Sequence, residues 1–156
     1  DRAWKADPDL APAETLEPED YEGAYKALGV DRGHLAPLAS FRGANWQQVN
    51  YLSNIVPQDS SLNRGAWLEV EKLERQLGQQ GEVFVIVGTA YDRPMGELPK
   101  ADEDHQIPSA LWKVIQSEGQ TQAWIFENTK GGGGGPIELL ELEARAGWDF
   151  PQNGYQ

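Results

Sequence analysis

Ala66, Trp67, Val70, Leu73 and Leu77 recur at steps of three and four residues, which commits residues 62–79 to one amphipathic helix, ended by Gly78 and Gly81. Two positions on, residues 82–89 (EVFVIVGT) form an unbroken apolar run of strand length, and such a run predicts a strand buried on both faces. A long helix feeding a buried strand excludes an all-helical bundle and an all-β sandwich.

The flanking segments fit a mixed architecture. The first sixteen residues, rich in Pro and acid, read as an extended arm along the surface. Residues 17–28 predict a short helix with Pro18 in its first turn, and residues 31–40 a strand or loop ending at Pro37. A helical turn is expected over 46–51 and an extended piece over 51–57. Residues 94–108 read as a long polar loop. Residues 111–116 and 120–126 form a strand pair turned at Ser117-Glu118-Gly119, and a short helix covers 137–145. The five glycines at 131–135 read as a flexible linker, an engineered or trimmed connection, or a stretch whose residues were never assigned. No Lys-Ser/Thr follows them, so they are not a phosphate-cradling loop.

Length fits one domain: 156 residues bury roughly two thirds of the unfolded surface. No apolar stretch has membrane-spanning length. The chain opens Asp1-Arg2-Ala3-Trp4 without a signal peptide, as a mature secreted chain or a trimmed one would. Without cysteine there are no disulfides and no thiolate metal sites. A metal would be held by His, Asp, Glu, Asn or water, a donor set suited to Mg²⁺ or Mn²⁺ rather than zinc.

The net charge of −12 is the wrong sign for a protein that relies on a broad basic surface to hold nucleic acid. The acid load is uneven. Residues 1–30 carry 3 basic and 8 acidic groups and residues 76–156 carry 5 and 12, whereas residues 31–75 carry 5 of each. High salt would screen the repulsion, with a Debye length of roughly 3 Å at 1 M.

That neutral segment holds the residues suited to chemistry. Phosphodiester hydrolysis needs a base to deprotonate water and charge stabilisation for the phosphorane and the leaving oxygen. Histidine serves the first need at neutral pH, and the chain has only His34 and His105. His34 closes Asp31-Arg32-Gly33-His34; His105 sits in the acidic loop Asp102-Glu103-Asp104, where a solvated charge cluster is the plainer reading. On a continuous helix Asn63, Trp67, Glu71 and Arg75, each four apart, form one drifting stripe, with Asn63 and Glu71 about 12 Å apart along the axis. Such a gap suits Asn63 as a direct Mg²⁺ ligand and Glu71 as holder of a metal water. The plainer readings are Asn63 as a helix N-cap, Glu71 and Arg75 as an exposed ion pair, and Asn54 as a turn residue.

The motifs DRGHLAPLAS, NYLSNIVPQ, LNRGAWLEVE, VIVGTAYDRPMGELP and IPSALWKVI together resemble the DNA/RNA non-specific endonucleases, a branch of the ββα-metal (His-Me finger) nucleases. The resemblance runs over residues 2–126, with a weaker echo over 137–150. It implies an α+β fold: an antiparallel sheet core with flanking helices and a ββα-metal finger at the active site, within a single nuclease domain over 1–156. It implies His34 as general base, Asn63 as direct ligand of one hydrated Mg²⁺ (Mn²⁺ substituting), and Glu71 as its holder through water. It also implies Arg32, Arg75 and Arg2 on the phosphate, Asn54 supporting the site and Asp31 in a structural part. DNA and RNA are the implied substrates, a protein inhibitor a further partner, and 5′-phosphate ends the product. A secreted or periplasmic location and no membrane partner follow the same resemblance. Relatives begin with strands before the Arg2 region and continue past the tail, and this chain has neither. A non-cleaving nuclease-like binding module and a truncated or engineered variant with impaired activity are the competing readings.

Overall fold

The computed structural model describes residues 3–151. Two antiparallel sheets organise it. The small one pairs β1 (Val30–His34) with β2 (Ile55–Asp59), with Asp31 opposite Gln58 and His34 opposite Ile55. The large one runs β3 (Val83–Ala90), β4 (Ala110–Ser117), β5 (Gln120–Glu127) and β6 (Gly134–Pro136) in spatial order. With four helices, α1 (Ala24–Leu28), α2 (Ser60–Arg64), α3 (Ala66–Gln80) and α4 (Leu139–Ala146), the fold is α+β with antiparallel sheets.

Alternation along β4 explains the layering. Ala110, Trp112 and Val114 pack with Ala123, Ile125 and Leu142 beneath α4, while Leu111 and Ile115 pack with Trp67, Val70 and Phe126 beneath α3. The large sheet therefore has a helix on each face, and β4, in its interior, is the strand buried on both. The expectation that 82–89 is buried on both faces is corrected. β3 is an edge strand, its residues mostly half-buried and Phe84 exposed. An apolar run reports that both faces are covered by helices, and it is silent on whether a neighbour lies alongside. A third apolar cluster, around Tyr21, Leu52, Ile55 and Leu98, seats the small sheet.

The long helix also differs from its expectation. Asp59, at the end of β2, caps a new helix by accepting from the N–H groups of Ser61 (2.9 Å) and Leu62 (3.2 Å), and also from the Ser61 hydroxyl. That helix ends at Gly65, where a Cβ would lie 2.6 Å from the Ser61 carbonyl oxygen. Residues 60–64 and 66–80 are thus two helices. Asn63 shares no helix axis with Glu71, so the 12 Å spacing does not apply, and Asp59 rather than Asn63 holds the cap.

Smaller differences have local causes. Gly23, at φ 76°, divides residues 17–28 into a 3₁₀ turn (Pro18–Tyr21) and α1. The piece over 51–57 begins with another such turn, Leu52–Asn54, before β2. The 111–126 hairpin turns through Glu118 and Gly119, at φ 50° and 74°, the primed geometry that two-residue hairpins favour. The glycine run is paired rather than loose: the Gly133 carbonyl accepts from Glu127 N–H at 3.0 Å, and Gly134 and Gly135 stand opposite Phe126 and Ile125. No helix among the described residues is long and apolar enough to cross a membrane.

One buried amide joins the sheets. Asn128 accepts from Asp59 N–H at 2.7 Å and donates to the carbonyls of Pro57 (2.9 Å) and Pro108 (2.8 Å). Removing it strands three buried backbone groups, each worth roughly 1 kcal/mol or more. Asn128→Ala is expected to lower the unfolding free energy by about 2–4 kcal/mol in urea titration; a loss under about 0.5 kcal/mol would contradict this clamp.

Candidate active site

β1 delivers its side chains to a cleft of about 410 Å³ lined by Trp4, Tyr21, Asp31, Arg32, His34 and Asn63, among others. His34 is the last residue of β1, and its Nε2 lies 2.9 Å from Oδ1 of the buried Asn50. An amide oxygen accepts, so this contact places the ring proton on Nε2 and the basic lone pair on Nδ1. The arm expected along the surface covers the ring: Lys5 bridges to Tyr51, its carbonyl accepting from Leu52 N–H at 2.9 Å, and Trp4 then lies 5.3 Å from the His34 ring.

Arg32 projects into an aromatic box. Its guanidinium sits 5.6 Å from the centroid of Trp4 and 5.3 Å from that of Tyr21, and it donates to the Pro18 carbonyl at 3.0 Å. Its Nε is buried without a partner, as is the Tyr21 hydroxyl, whose ionisation burial pushes well above the ordinary phenol range. A fixed cation with an unspent donor suits an anionic oxygen.

Asp31 organises the opposite wall. Its carboxylate receives Arg64 through two bonds (Nε to Oδ2 2.9 Å, NH2 to Oδ1 2.7 Å) and the Asn63 amide N–H at 2.9 Å. With its nitrogen committed to Asp31, Asn63 presents its carbonyl Oδ1, the hard oxygen donor that Mg²⁺ or Mn²⁺ takes. The residues present fit such an ion.

Asn54, Glu71 and Arg75 do not line this cleft. Asn54 clamps the loop after His34: its Oδ1 accepts from Ala36 N–H at 2.9 Å, and its Nδ2 donates to the carbonyls of Ala36 (3.0 Å) and Val49 (2.9 Å). Glu71 lies on α3 one turn after Trp67, whose indole N–H reaches the His34 carbonyl at 3.4 Å. Burial raises the Glu71 carboxyl to about 7, against the pull of Lys113 and Arg75. Arg75 lines a neighbouring groove and has a buried, unpartnered NH1. Arg2 lies outside the described residues. His105 is occupied structurally, accepting from Leu98 N–H at 2.9 Å through Nε2 and contacting the Glu103 carbonyl at 3.0 Å through Nδ1. Glu17, Asp20, Asp102 and Glu103 bring carboxylate oxygens within 4.8 Å of one another, a group with cation-holding chemistry, and none of the four lines the cleft.

Sequence reasoning passed over several contributors. Asn50 stands in the quoted NYLSNIVPQ motif, yet an asparagine gives no periodic signal. Arg64, the partner of Asp31, stands in the quoted LNRGAWLEVE motif and gives no periodic signal either. Lys113 did carry a signal: a lone cation inside LWKVI, it is fully buried, paired with Glu74 at 2.7 Å and 4.8 Å from the Trp67 ring.

The sequence pattern of the DNA/RNA non-specific endonucleases matches residues 1–156. The chain belongs to that family. The nuclease of Serratia marcescens is 54% identical over 118 residues, 73% of this chain and 44% of the relative. Human mitochondrial nuclease EXOG is 34% identical over 123 residues (72% and 32%), and human mitochondrial endonuclease G 37% over 86 residues (51% and 26%). The chain thus spans less than half the length of these relatives. Because proteins named as mitochondrial match too, family membership leaves the compartment open.

Two predictions follow from the geometry. A Cβ on Gly33 would lie 2.6 Å from Cβ of Gln58, and closer still to its Oε1, so Gly33→Ala should displace β1 and cut activity at least ten-fold. Adding Gln58→Gly, which removes the opposing Cβ as well as the amide, should restore activity to that of Gln58→Gly alone, whereas additive losses would refute the collision. Glu71 favours its protonated form when folded, so its contribution to stability is full below its ordinary value of 4.5 and is lost as pH rises through about 7. In EDTA, Glu71→Gln should match the parent near pH 4.5 and exceed it at pH 8 by on the order of 2 kcal/mol; a pH-independent difference in urea titrations would contradict the assignment.

Proposed function

We propose that this chain is a metal-dependent endonuclease that hydrolyses phosphodiester bonds of DNA and RNA without sequence preference, residues 1–156 acting as one nuclease unit. The observation that carries the reading is the shared cleft: the Asn50-oriented His34, the boxed Arg32 and the Asp31-oriented Asn63 open onto one space.

His34, with Nε2 engaged by Asn50, takes a proton from water at Nδ1, and the oxygen of that water attacks phosphorus. The phosphate oxygens meet Arg32 on one side, with Arg75 and Arg2 as further positioning cations. Asn63 would hold Mg²⁺ directly through Oδ1, Mn²⁺ substituting, and Glu71 would hold it through water. When bound, the cation supplies charge stabilisation for the leaving 3′ oxygen. That oxygen departs with the electron pair of the P–O bond and takes a proton from solvent water, which leaves 5′-phosphate and 3′-hydroxyl ends. Glu71 would meet a cation as a carboxylate, because a nearby divalent charge opposes the burial that otherwise protonates it. Asn54 acts at a distance, by fixing the loop that follows His34. None of these groups reads base edges, which fits a substrate range spanning DNA and RNA.

The test is cleavage of supercoiled plasmid and structured RNA in Mg²⁺ and in EDTA. The parent should degrade both in Mg²⁺ only, and folded His34→Ala should lose at least 10³-fold, in line with the upper part of the ~10²–10⁴-fold range for general-base catalysis. Near-normal turnover by His34→Ala would overturn the base assignment; no cleavage by the folded parent would overturn the function.

A further inference from the structure

We propose that Phe41 and Arg42, on the loop between β1 and β2, form a landing platform for an unpaired nucleotide beside the cleft, Phe41 stacking on the base and Arg42 meeting its phosphate. The inference rests on the nuclease reading for its substrate class and extends it to a preference for single-stranded nucleic acid.

Charge pairing across the molecule singles out Arg42. Among the described arginines, Arg64, Arg93 and Arg145 are each neutralised by a carboxylate. Arg32, Arg42 and Arg75 have no ion pair among the described residues. Two of these three already belong to the candidate active site, and Arg42 is the third. In a chain of net charge −12, an exposed arginine left without an ion pair in the groove that also holds Arg75 adds positive charge there, the Glu74 in that groove being paired with Lys113. Arg42 lines the groove that contains Arg75 and also a second hollow of about 420 Å³, so it stands between the two.

The second hollow supplies the apolar half. Ala36, Val49 and Asn54 border it together with Phe41, Arg42 and Trp46. Phe41 is 47% exposed, a large ring left to water next to an unpaired cation. The loop is held at its base because Asn54 bonds both Ala36 and Val49, and Ala36 is two residues from His34. The platform is therefore joined to the base through a rigid clamp.

Exposed aromatic and guanidinium groups together match the chemistry of a single strand, which offers a free base face and a phosphate on each nucleotide. A duplex hides its base faces in the stack. Stacking is tolerant of base identity, so this contact adds affinity without adding sequence preference.

The test is fluorescence anisotropy of a labelled oligothymidylate in EDTA, where no cleavage intervenes. Phe41→Ala and Arg42→Ala, both surface substitutions, should keep the parent melting temperature. Phe41→Ala is expected to weaken binding about ten-fold on oligothymidylate and under two-fold on an abasic oligomer of the same length and charge. Arg42→Ala should weaken both. Equal affinities for parent and variants, no binding by the parent, or equal losses by Phe41→Ala on both oligomers would overturn the platform. Plasmid cleavage by the parent is scored separately, so a folded chain that binds through Phe41 and does not cleave defeats the nuclease reading and leaves the platform standing.

Discussion

The carboxylate of Asp31 ties strand to helix at the point where the two must agree. β1 and β2 form a two-stranded ribbon, an element that is marginal alone in water, and α2 is only five residues long. Asp31 joins them by taking Arg64 in a fork and the Asn63 amide on the same carboxylate. The arginine fork fixes the carboxylate, and the fixed carboxylate fixes the asparagine. One amide N–H is held by Asp31, and the carbonyl oxygen is the donor Asn63 has for a cation. A structural pair thereby sets the chemical character of the neighbouring donor.

His34 is handled by the same logic. Asn50, buried, engages one ring nitrogen, and the tautomer of the other follows. Arg32 is fixed by aromatic faces instead of a carboxylate, so its charge stays available. The three groups are oriented by partners that are themselves buried or clamped, which lowers the reorganisation needed when a phosphate arrives. The large sheet contributes distance and rigidity: Asn128 locks it to β2, and Trp67 spans from the core beneath α3 to the His34 carbonyl.

Much of this arrangement was legible in the sequence, and the exceptions share a cause. Periodicity located α3 and the β4–β5 hairpin because both bury faces in a regular rhythm. It carried the helix across Gly65 because Leu62 keeps phase with Ala66, although the backbone breaks there. It assigned double burial to 82–89 because apolar content cannot separate an interior strand from an edge, and it undervalued β4, where Lys113 interrupts the apolar pattern while being fully buried. Paired glycines at 133–135 were read as slack because composition does not report pairing. At the site, Arg32, His34 and Asn63 were named from motif and chemistry, and they do share a cleft. Asn50 and Arg64 were missed because each acts by orienting another residue, a role that leaves no mark in composition or spacing.

The proposed role of His34 as base depends on the Asn50 contact leaving the lone pair on Nδ1. With two histidines in the chain, ¹⁵N-edited NMR of the imidazoles gives the tautomer directly. Neutral His34 is expected to carry its proton on Nε2 and to lose that preference in Asn50→Ala. A proton on Nδ1 of the folded parent would contradict it.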